Sequence, residues 1–503
     1  MGIKLTGLNS GLDTESIIKE LMSAHSLKLT KIENKKTKNT WTQDKWKDLN
    51  TKIYALYTGD LSKARLTTSY QTKKASSSNS DFVEATATSN AAAGAHKIQI
   101  DQLASAQYVT GAATSISDTS DKLTSLGFVE GDTITIKGSG TTEAKELTID
   151  ANTTVANLMT AFKEQGVNAS FDKTQKRIFL SSSNSGADQA FTLTSSNTSA
   201  LSDKLGLGEI NQTADGKDVA VGAANTGMTL VKAQNAIIKL DGAVLESDNN
   251  EPTINGVKYS LKQVTTSEAT ITVSNDTQAV YDQISSLIKG YNDILGAMND
   301  AYYATSSKGY DPLTDEEREA MTDDQIEKWE TKIKDSLLRR DSTLGSLLTA
   351  TKSAMNASVT ASDGKTYTLS SLGIVTSSDY TEKGLLHIKG DSEDSTYKDS
   401  DNTLMNMLET DPDLVCEIMK GISTQLYDTM TKKMSATSLS SALTFYNDKQ
   451  LTKNNTQYES DISKMQDRLE TLESKYYAQF TAMETAMSKL NAQQSSLSSL
   501  LGQ

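Results

Sequence analysis

Residues 462–501 read ISKMQDRLETLESKYYAQFTAMETAMSKLNAQQSSLSSLL. Ile462, Met465, Leu469, Leu472, Tyr476, Phe480, Met483, Met487, Leu490, Gln494, Leu497 and Leu501 recur at steps of 3,4,3,4,4,3,4,3,4,3 and 4. Alternating threes and fours keep side chains on one face of an α-helix, so this is a heptad seam. The repeated four at Tyr476–Phe480 is a stutter that locally unwinds any supercoil. A helix about 40 residues long cannot bury such a stripe against itself. It must fold back on its own domain or pack against another helix.

The other end of the chain offers a partner. Asp13 is placed to cap a helix, Glu15 suits the positive end of its dipole, and Ile17, Ile18, Leu21 and Met22 share a face. That stripe continues weakly through His25, Leu29 and Ile32, and a second helical pattern carries Trp46, Leu49, Ile53, Leu56 and Leu61. Residues 14–40 hold six Lys and three Glu, whereas 459–489 hold six acidic and four basic residues. Exposed ion pairs contribute only about 0–1 kcal/mol each, so charge biases this pairing without driving it. The expected assembly seam is Ile17, Leu21, Met22, Tyr476, Phe480, Met483, Met487, Leu490 and Leu497. Residues 7–40 and 459–503 are expected to be disordered or loosely helical in the free chain. They would order on pairing with each other and with neighbouring chains, where apolar burial offsets the ordering entropy.

Between these ends the period changes. From about Ser76 the chain turns Ser/Thr/Asn/Gly-rich, and Phe82–Thr86 and His96–Ile100 alternate as half-buried strands do. Further strands are expected at 133–137, 146–149, 177–182, 190–195, 235–240, 258–264 and 269–274, with one helix at Val155–Gln165 ended by Gly166. Asp241-Gly242 and Asn255-Gly256 are hairpin turn dipeptides. Helical spacing returns with Val280, Ile284, Leu287, Tyr291, Ile294 and Met298. Thr314…Glu317 and Thr322…Gln325 have capping-box spacing, Asp411-Pro412 opens a helix with Pro at its first position, and 364–390 suggests one small hairpin. The pattern predicts an α+β multidomain fold: terminal helices forming a coiled-coil or helical-bundle leg, with β-rich head domains inserted between them.

Composition excludes several function classes. The 503 residues include one Cys and three Pro, so Cys416 can form no internal disulfide. Hydrophobic residues are 36%, and counting Gly in place of Tyr still leaves the chain below the roughly 45–50% of an average globular protein, which argues for slim domains. Asp and Glu number 64 against 50 Lys and Arg, a net charge of −14 that disfavours nucleic-acid binding. No stretch approaches the ~18 apolar residues of a membrane span, and the start MGIKLTGLNSGLD has no apolar core of a cleaved secretory signal.

A search for chemistry finds no HExxH, CxxC, GxxxxGK[ST] or GxSxG motif. Gly7-Leu8-Asn9-Ser10-Gly11 lacks the glycine and strand of a nucleophile elbow, and Gly138-Ser139-Gly140 lacks the third glycine of a dinucleotide loop. Met1-Gly2…Thr6 fits a myristoylation spacing short enough to arise by chance. His25, His96 and His387 fall on elements that periodicity explains as surface or core. Lysines 28, 31, 35, 36, 38, 45 and 47 read as a solvated face or a docking surface for acidic helices. Eight of fifteen Met lie after residue 400, where an adaptable side chain suits core filling or several neighbours, and Cys416 reads as an inert buried thiol. No catalytic, cofactor or metal residue is expected, and the chain is not expected to be an enzyme.

Collinear segments carry a resemblance. GLNSGLDTESIIKELM (7–22), GAHKIQIDQLASAQ (94–107), AQNAIIKLDG (233–242), SDNNEPTINGVKYSL (247–261), YNDILG (291–296), SSLGI (370–374) and QFTAMETAMSKLNAQQSSL (479–497) resemble the bacterial flagellar filament-capping family. Residues 310–344 look like a signature of some members, and 108–212 match nothing quotable. The resemblance implies a structural protein at the distal tip of the flagellum, exported unfolded through the flagellar type III channel. It implies a ring-like homo-oligomer, a pentamer, that retains flagellin and promotes its folding. Flagellin, hook–filament junction proteins and an export chaperone are the implied partners. The expected division is 1–42 with 459–503 as paired terminal helices and 43–75 with 276–458 as the leg. A head domain would comprise 76–107 with 213–275, and a second, inserted head would be 108–212. A different class also accommodates the residues: a surface adhesin with a glycan-binding β head on a helical stalk. Scarce Cys and Pro would spare an exported chain slow disulfide and isomerisation steps during refolding.

Overall fold

The computed structural model describes residues 13–138, 143–213, 219–222, 227–500 and 502. The chain forms two compact units, Met1–Tyr70 with Thr277–Gln503, and Gln71–Asp276.

The first unit is helical. Its leading helix α1 spans Thr14–Thr58, 45 residues without Gly or Pro, so the two stripes lie on one helix rather than two. Nothing breaks it at residue 42, because the Lys/Asn/Thr-rich stretch between the stripes is polar but helix-compatible. Asp13 caps it, accepting from Ser16 N at 3.0 Å and Ser16 Oγ at 2.6 Å. The later stripe enters a core shared with α2 (Asp60–Ala64), α5 (Thr277–Tyr302), α8 (Ser342–Met355), α9 (Thr403–Thr410) and α10 (Pro412–Lys433); α3 (Val155–Glu164) and α4 (Thr198–Asp203) belong to the other unit. Ile53, Leu61, Leu295, Leu404, Ile418 and Met419 are at most 1% exposed there. Cys416 is buried in the same core, and burial pushes its thiol up, away from a reactive thiolate.

Both capping boxes form, opening α6 (Asp315–Glu319) and α7 (Asp323–Asp335). Pro412 occupies the first turn of α10, where its missing N–H costs nothing. The expected single hairpin at 364–390 is two smaller ones: Val359–Thr360 pairs with Thr366–Tyr367, and Ile374–Thr376 with Leu386–Ile388. The final helix α11 runs Asp448–Leu500, 53 residues, straight through the boundary expected at 458/459. Residues 14–40 and 459–500 are regular helix and pack on each other; residues 7–12, 501 and 503 lie outside the described residues.

The second unit holds two cores. One lies between two antiparallel sheets. The larger has the order β1 (Lys73–Ser77), β17 (Ala269–Asn275), β3 (Gly94–Gln102), β13 (Ala236–Leu240), β14 (Ala243–Ser247). The smaller has the order β15 (Thr253–Ile254), β16 (Val257–Leu261), β2 (Val83–Ala87). Ile98, Ile238, Tyr259 and Ile271 fill this core. Asp241 and Gly242 both take positive φ, +52° and +86°, and close the two-residue turn that sets Leu240 opposite Ala243.

The other core lies between a sheet ordered β12 (Thr229–Val231), β4 (Tyr108–Thr110), β8 (Arg177–Ser182), β7 (Val167–Asp172) and a second sheet. That one is ordered β11 (Val219–Val221), β10 (Ile210–Gln212), β9 (Thr192–Ser195), β5 (Thr133–Lys137), β6 (Lys145–Thr148). Helices α3 and α4 contribute Leu158, Phe162 and Leu201 to it. This core does not stop at 212: Val219 is buried in it and β12 pairs with β4, so the inserted lobe extends to Val231. The strand at the other margin also starts earlier than expected, at Lys73. The β12 strand is three residues long and lacks an alternation that sequence could register.

Candidate functional site

The terminal helices pair antiparallel, and the pairing is built in two parts. Near the core it is specified by polar groups and rings. Asn50 Oδ1 accepts from Phe445 N at 2.8 Å, and Trp46 stacks on Tyr446 with ring centroids 5.5 Å apart. Asn39 Nδ2 donates to Leu451 O at 2.8 Å and to Asn455 Oδ1 at 2.7 Å. Asn455 Nδ2 in turn donates to Gln43 Oε1 at 3.4 Å. These amide bonds fix register, because a shift of one residue would turn Asn39 and Asn455 apart. Farther out come Lys36–Glu459, at 3.0 Å on the surface, and His25 Nε2 against Tyr476 OH at 3.4 Å.

Toward the free ends polar specification gives way to the apolar seam. Ile17, Met22, Tyr476, Phe480, Met483 and Met487 are half-buried. Leu21 is not part of the covered stripe, being 40% exposed; Ile18, at 2%, takes the central place one residue earlier. Leu490 and Leu497 are 63% and 60% exposed, and every side chain from Ser488 to Ser499 is exposed. Two helices cover only one flank of each other's stripe, so the seam read from α1 and α11 together remains partly open.

The α1 lysines are used for docking. Lys38 Nζ bonds Asp311 Oδ1 at 2.6 Å and Tyr310 O at 3.2 Å, Lys45 pairs with Asp335 at 3.0 Å, and Lys334 lies 4.6 Å over the Trp41 ring. The acidic segment 310–335 is strapped to α1 in this way, so Lys38 and Lys45 serve a docking face of the kind expected from their spacing.

One cluster went unread in the sequence. His387 is half-buried with Nδ1 2.6 Å from Asp394 Oδ2 and Nε2 2.8 Å from Glu382 Oε2. Burial disfavours the charged ring, but the bonds to Asp394 and Glu382 outweigh it and hold the imidazole pKa above its ordinary value. The acids stand five residues before and seven after the histidine, both outside the short strand Leu386–Ile388 that carries it. Only the turn at Tyr380–Glu382 and the loop 389–402 bring them together.

Among the described residues no group of His, Cys, Asp and Glu is arranged to hold a metal ion. No described helix is long and apolar enough to cross a membrane. The glycine-containing stretch 7–11 and the 1–6 pattern lie outside the described residues, as do Ser139 and Gly140.

The family model for the flagellar hook-associated protein 2 C-terminus matches residues 233–492, and that for the N-terminus of the same protein matches 10–107. The chain belongs to the flagellar hook-associated protein 2 family. Between the two matches lies 108–232, the stretch that builds the second β core from Val109 to Leu230. The flagellar hook-associated protein 2 of Halalkalibacterium halodurans is 26% identical over 554 residues, covering 98% of this chain and 99% of the relative. That of Escherichia coli K12 is 26% identical over 510 residues, covering 98% and 97%. Among solved structures, the D1-D2-D3 domains of the Escherichia coli flagellar cap protein superpose with a TM-score of 0.55 at 21% identity, covering 78% of this chain and 96% of that one. That likeness establishes the fold: a hook-associated protein 2 architecture with helical and β-sheet domains. The adhesin class is set aside, because the end-to-end kinship is with hook-associated proteins.

Proposed function

We propose that this chain is a subunit of the cap at the distal tip of a bacterial flagellar filament, retaining exported flagellin and promoting its insertion. Full-length membership in the hook-associated protein 2 family carries the reading. The open seam supplies a physical means: Met487, Leu490 and Leu497 lie on a helix whose flank awaits cover. The terminal pair, residues to 42 and from 459, is the filament-facing part; the helical core is the leg and the β unit the head. Copies assemble as a ring of five in this reading, after export through the flagellar channel with a chaperone, and meet flagellin and the hook–filament junction.

A strain lacking the gene should shed monomeric flagellin into the medium and lose its filaments. Intact filaments in that strain would overturn the reading.

A further inference from the structure

A shelf of rings crosses the surface of the helical core. Tyr54 and Tyr57 on α1 lie 5.9 Å apart between centroids, and Tyr57 stacks on Tyr427 of α10 at 4.3 Å and 16°. On Tyr427 rests the guanidinium of Arg65, 3.6 Å from the ring centroid. Arg65 is half-buried, and its Nε is shut off from solvent without a hydrogen-bond partner. Among the described residues no carboxylate pairs with it, although the chain carries 64 Asp and Glu. Beside it Leu66 is 51% exposed. A half-buried guanidinium resting on the Tyr427 ring presents a planar fork of N–H donors, the group that grips carboxylates. Tyr and Arg are also the residue types that dominate binding energy at protein interfaces.

The complementary group is on the same chain but out of reach. Residues 315–327 contain Asp315, Glu316, Glu317, Glu319, Asp323, Asp324 and Glu327, all exposed, beside one arginine, Arg318, that is committed to Glu330. This segment is strapped to α1 near Lys38 and Lys45. At a rise of about 1.5 Å per residue, Tyr57 stands about 28 Å along α1 from Lys38, so Arg65 and the acidic segment cannot meet within one chain. Two complementary, non-overlapping patches on one chain make a head-to-tail contact, the kind that closes into rings.

We infer that the Arg65 shelf of one copy receives the acidic α6–α7 segment of a second copy, and that this contact joins neighbours in the cap. The inference rests on the ring assembly proposed above. It is tested on the full-length chain by light scattering across concentration and salt, with thermal melting to check the fold. Arg65→Glu should weaken self-association roughly 30-fold, as for an interface hot spot. Glu316→Lys with Glu319→Lys, on an exposed surface, should weaken it comparably and leave melting unchanged. Combining all three should recover most of the association, and Arg65→Lys should fall between. A wild-type chain that stays monomeric throughout defeats the ring reading and this inference with it. An oligomeric wild type whose state neither reversal changes overturns this inference alone, as does a combined variant that recovers nothing. Should Arg65→Glu fail to fold, the acidic-side variant decides: unchanged association overturns the inference, and loss reversed by Arg65→Gln opposes it as well.

Discussion

Trp46 lies face to face with Tyr446, ring planes 5° apart, where α1 leaves the helical core and α11 is about to begin. Trp46 is 2% exposed and Tyr446 8%. Outward of this stack α1 pairs with α11 and carries the 310–335 segment at Lys38 and Lys45; inward of it lies the many-helix core. Trp46→Ala should cost about 3–5 kcal/mol of stability, as for other large buried side chains cut to alanine. Urea denaturation followed by far-ultraviolet circular dichroism checks it, and a loss below about 1 kcal/mol would contradict the role assigned to the stack.

The His387 cluster gives a pH dependence with a definite sign. Both ring nitrogens face carboxylate oxygens, which only accept while ionised, so the ring must carry two protons to satisfy both. A folded-state pKa above the unfolded one contributes stability that is complete below the unfolded value, near 6.5, and is lost as pH rises through the folded value. Asp394 works at the other end. Burial raises its pKa, yet its bonds to His387 and to the Thr396 and Tyr397 amides outweigh that and hold it low, so its contribution fades as pH falls through the folded value. The clasp is therefore strongest in mildly acidic to neutral solution. Denaturation midpoints measured from pH 5 to 9 should fall toward the alkaline end in the wild type and flatten in His387→Asn. Parallel curves would contradict it.

Gly421 on α10 admits no side chain. A Cβ there would sit 2.7 Å from both γ-carbons of Val359, whose hairpin packs on the helix. Gly421→Ala should lose about 1–3 kcal/mol through overpacking, against a small gain in helix propensity. Val359→Ala in the same chain should return most of the loss, a coupling that a double-mutant cycle measures directly.

Met487→Asp places a charge on the open seam. The side chain is half-buried against only one neighbour, so melting of the whole chain should change by less than about 1 kcal/mol while tip assembly is abolished. Normal filaments in such a strain would contradict the seam's role. Leu497→Asp, fully on the exposed stretch, should give the same phenotype with no change in melting.

The inserted β lobe should be removable. Ser105 N donates to Gln234 O at 2.9 Å and Gln234 N to Ser105 O at 3.1 Å, so the chain enters and leaves the lobe at neighbouring points. Replacing residues 108–231 with a short Gly/Ser linker should leave the Ile98/Tyr259 core folded, as judged by a cooperative melt of the shortened chain. A non-cooperative melt would show that the bonds across the lobes, such as Ala187 N to Asn235 Oδ1 at 2.8 Å, are needed for that core.

What the sequence made legible was local and periodic. Asp13, Thr314, Thr322 and Pro412 mark helix starts because each satisfies or omits an orphan backbone donor, and that chemistry is readable in four residues. The joining of the Ile18 and Trp46 stripes into one helix was not legible, since no breaker separates them and a polar run does not announce continuity. The choice of Ile18 over Leu21 depends on how α11 approaches, which the stripe alone leaves open. His387 stayed hidden because its partners come from turns, where no period links residues that meet.

The length of α1 without Gly or Pro has a mechanical meaning. Its inner end is clamped by Leu49, Ile53 and Leu56 inside the core, while its outer end meets a single companion helix. From the stack at Trp46 out to Thr14 this rod is a cantilever about 48 Å long at 1.5 Å per residue. Any load applied near Ile18, by a flagellin subunit entering or leaving in the proposed role, arrives at the clamp as a bending moment rather than being absorbed by a joint. The Trp46–Tyr446 stack stands where that moment is greatest, and the helical core becomes the part of the molecule that feels each event at the tip.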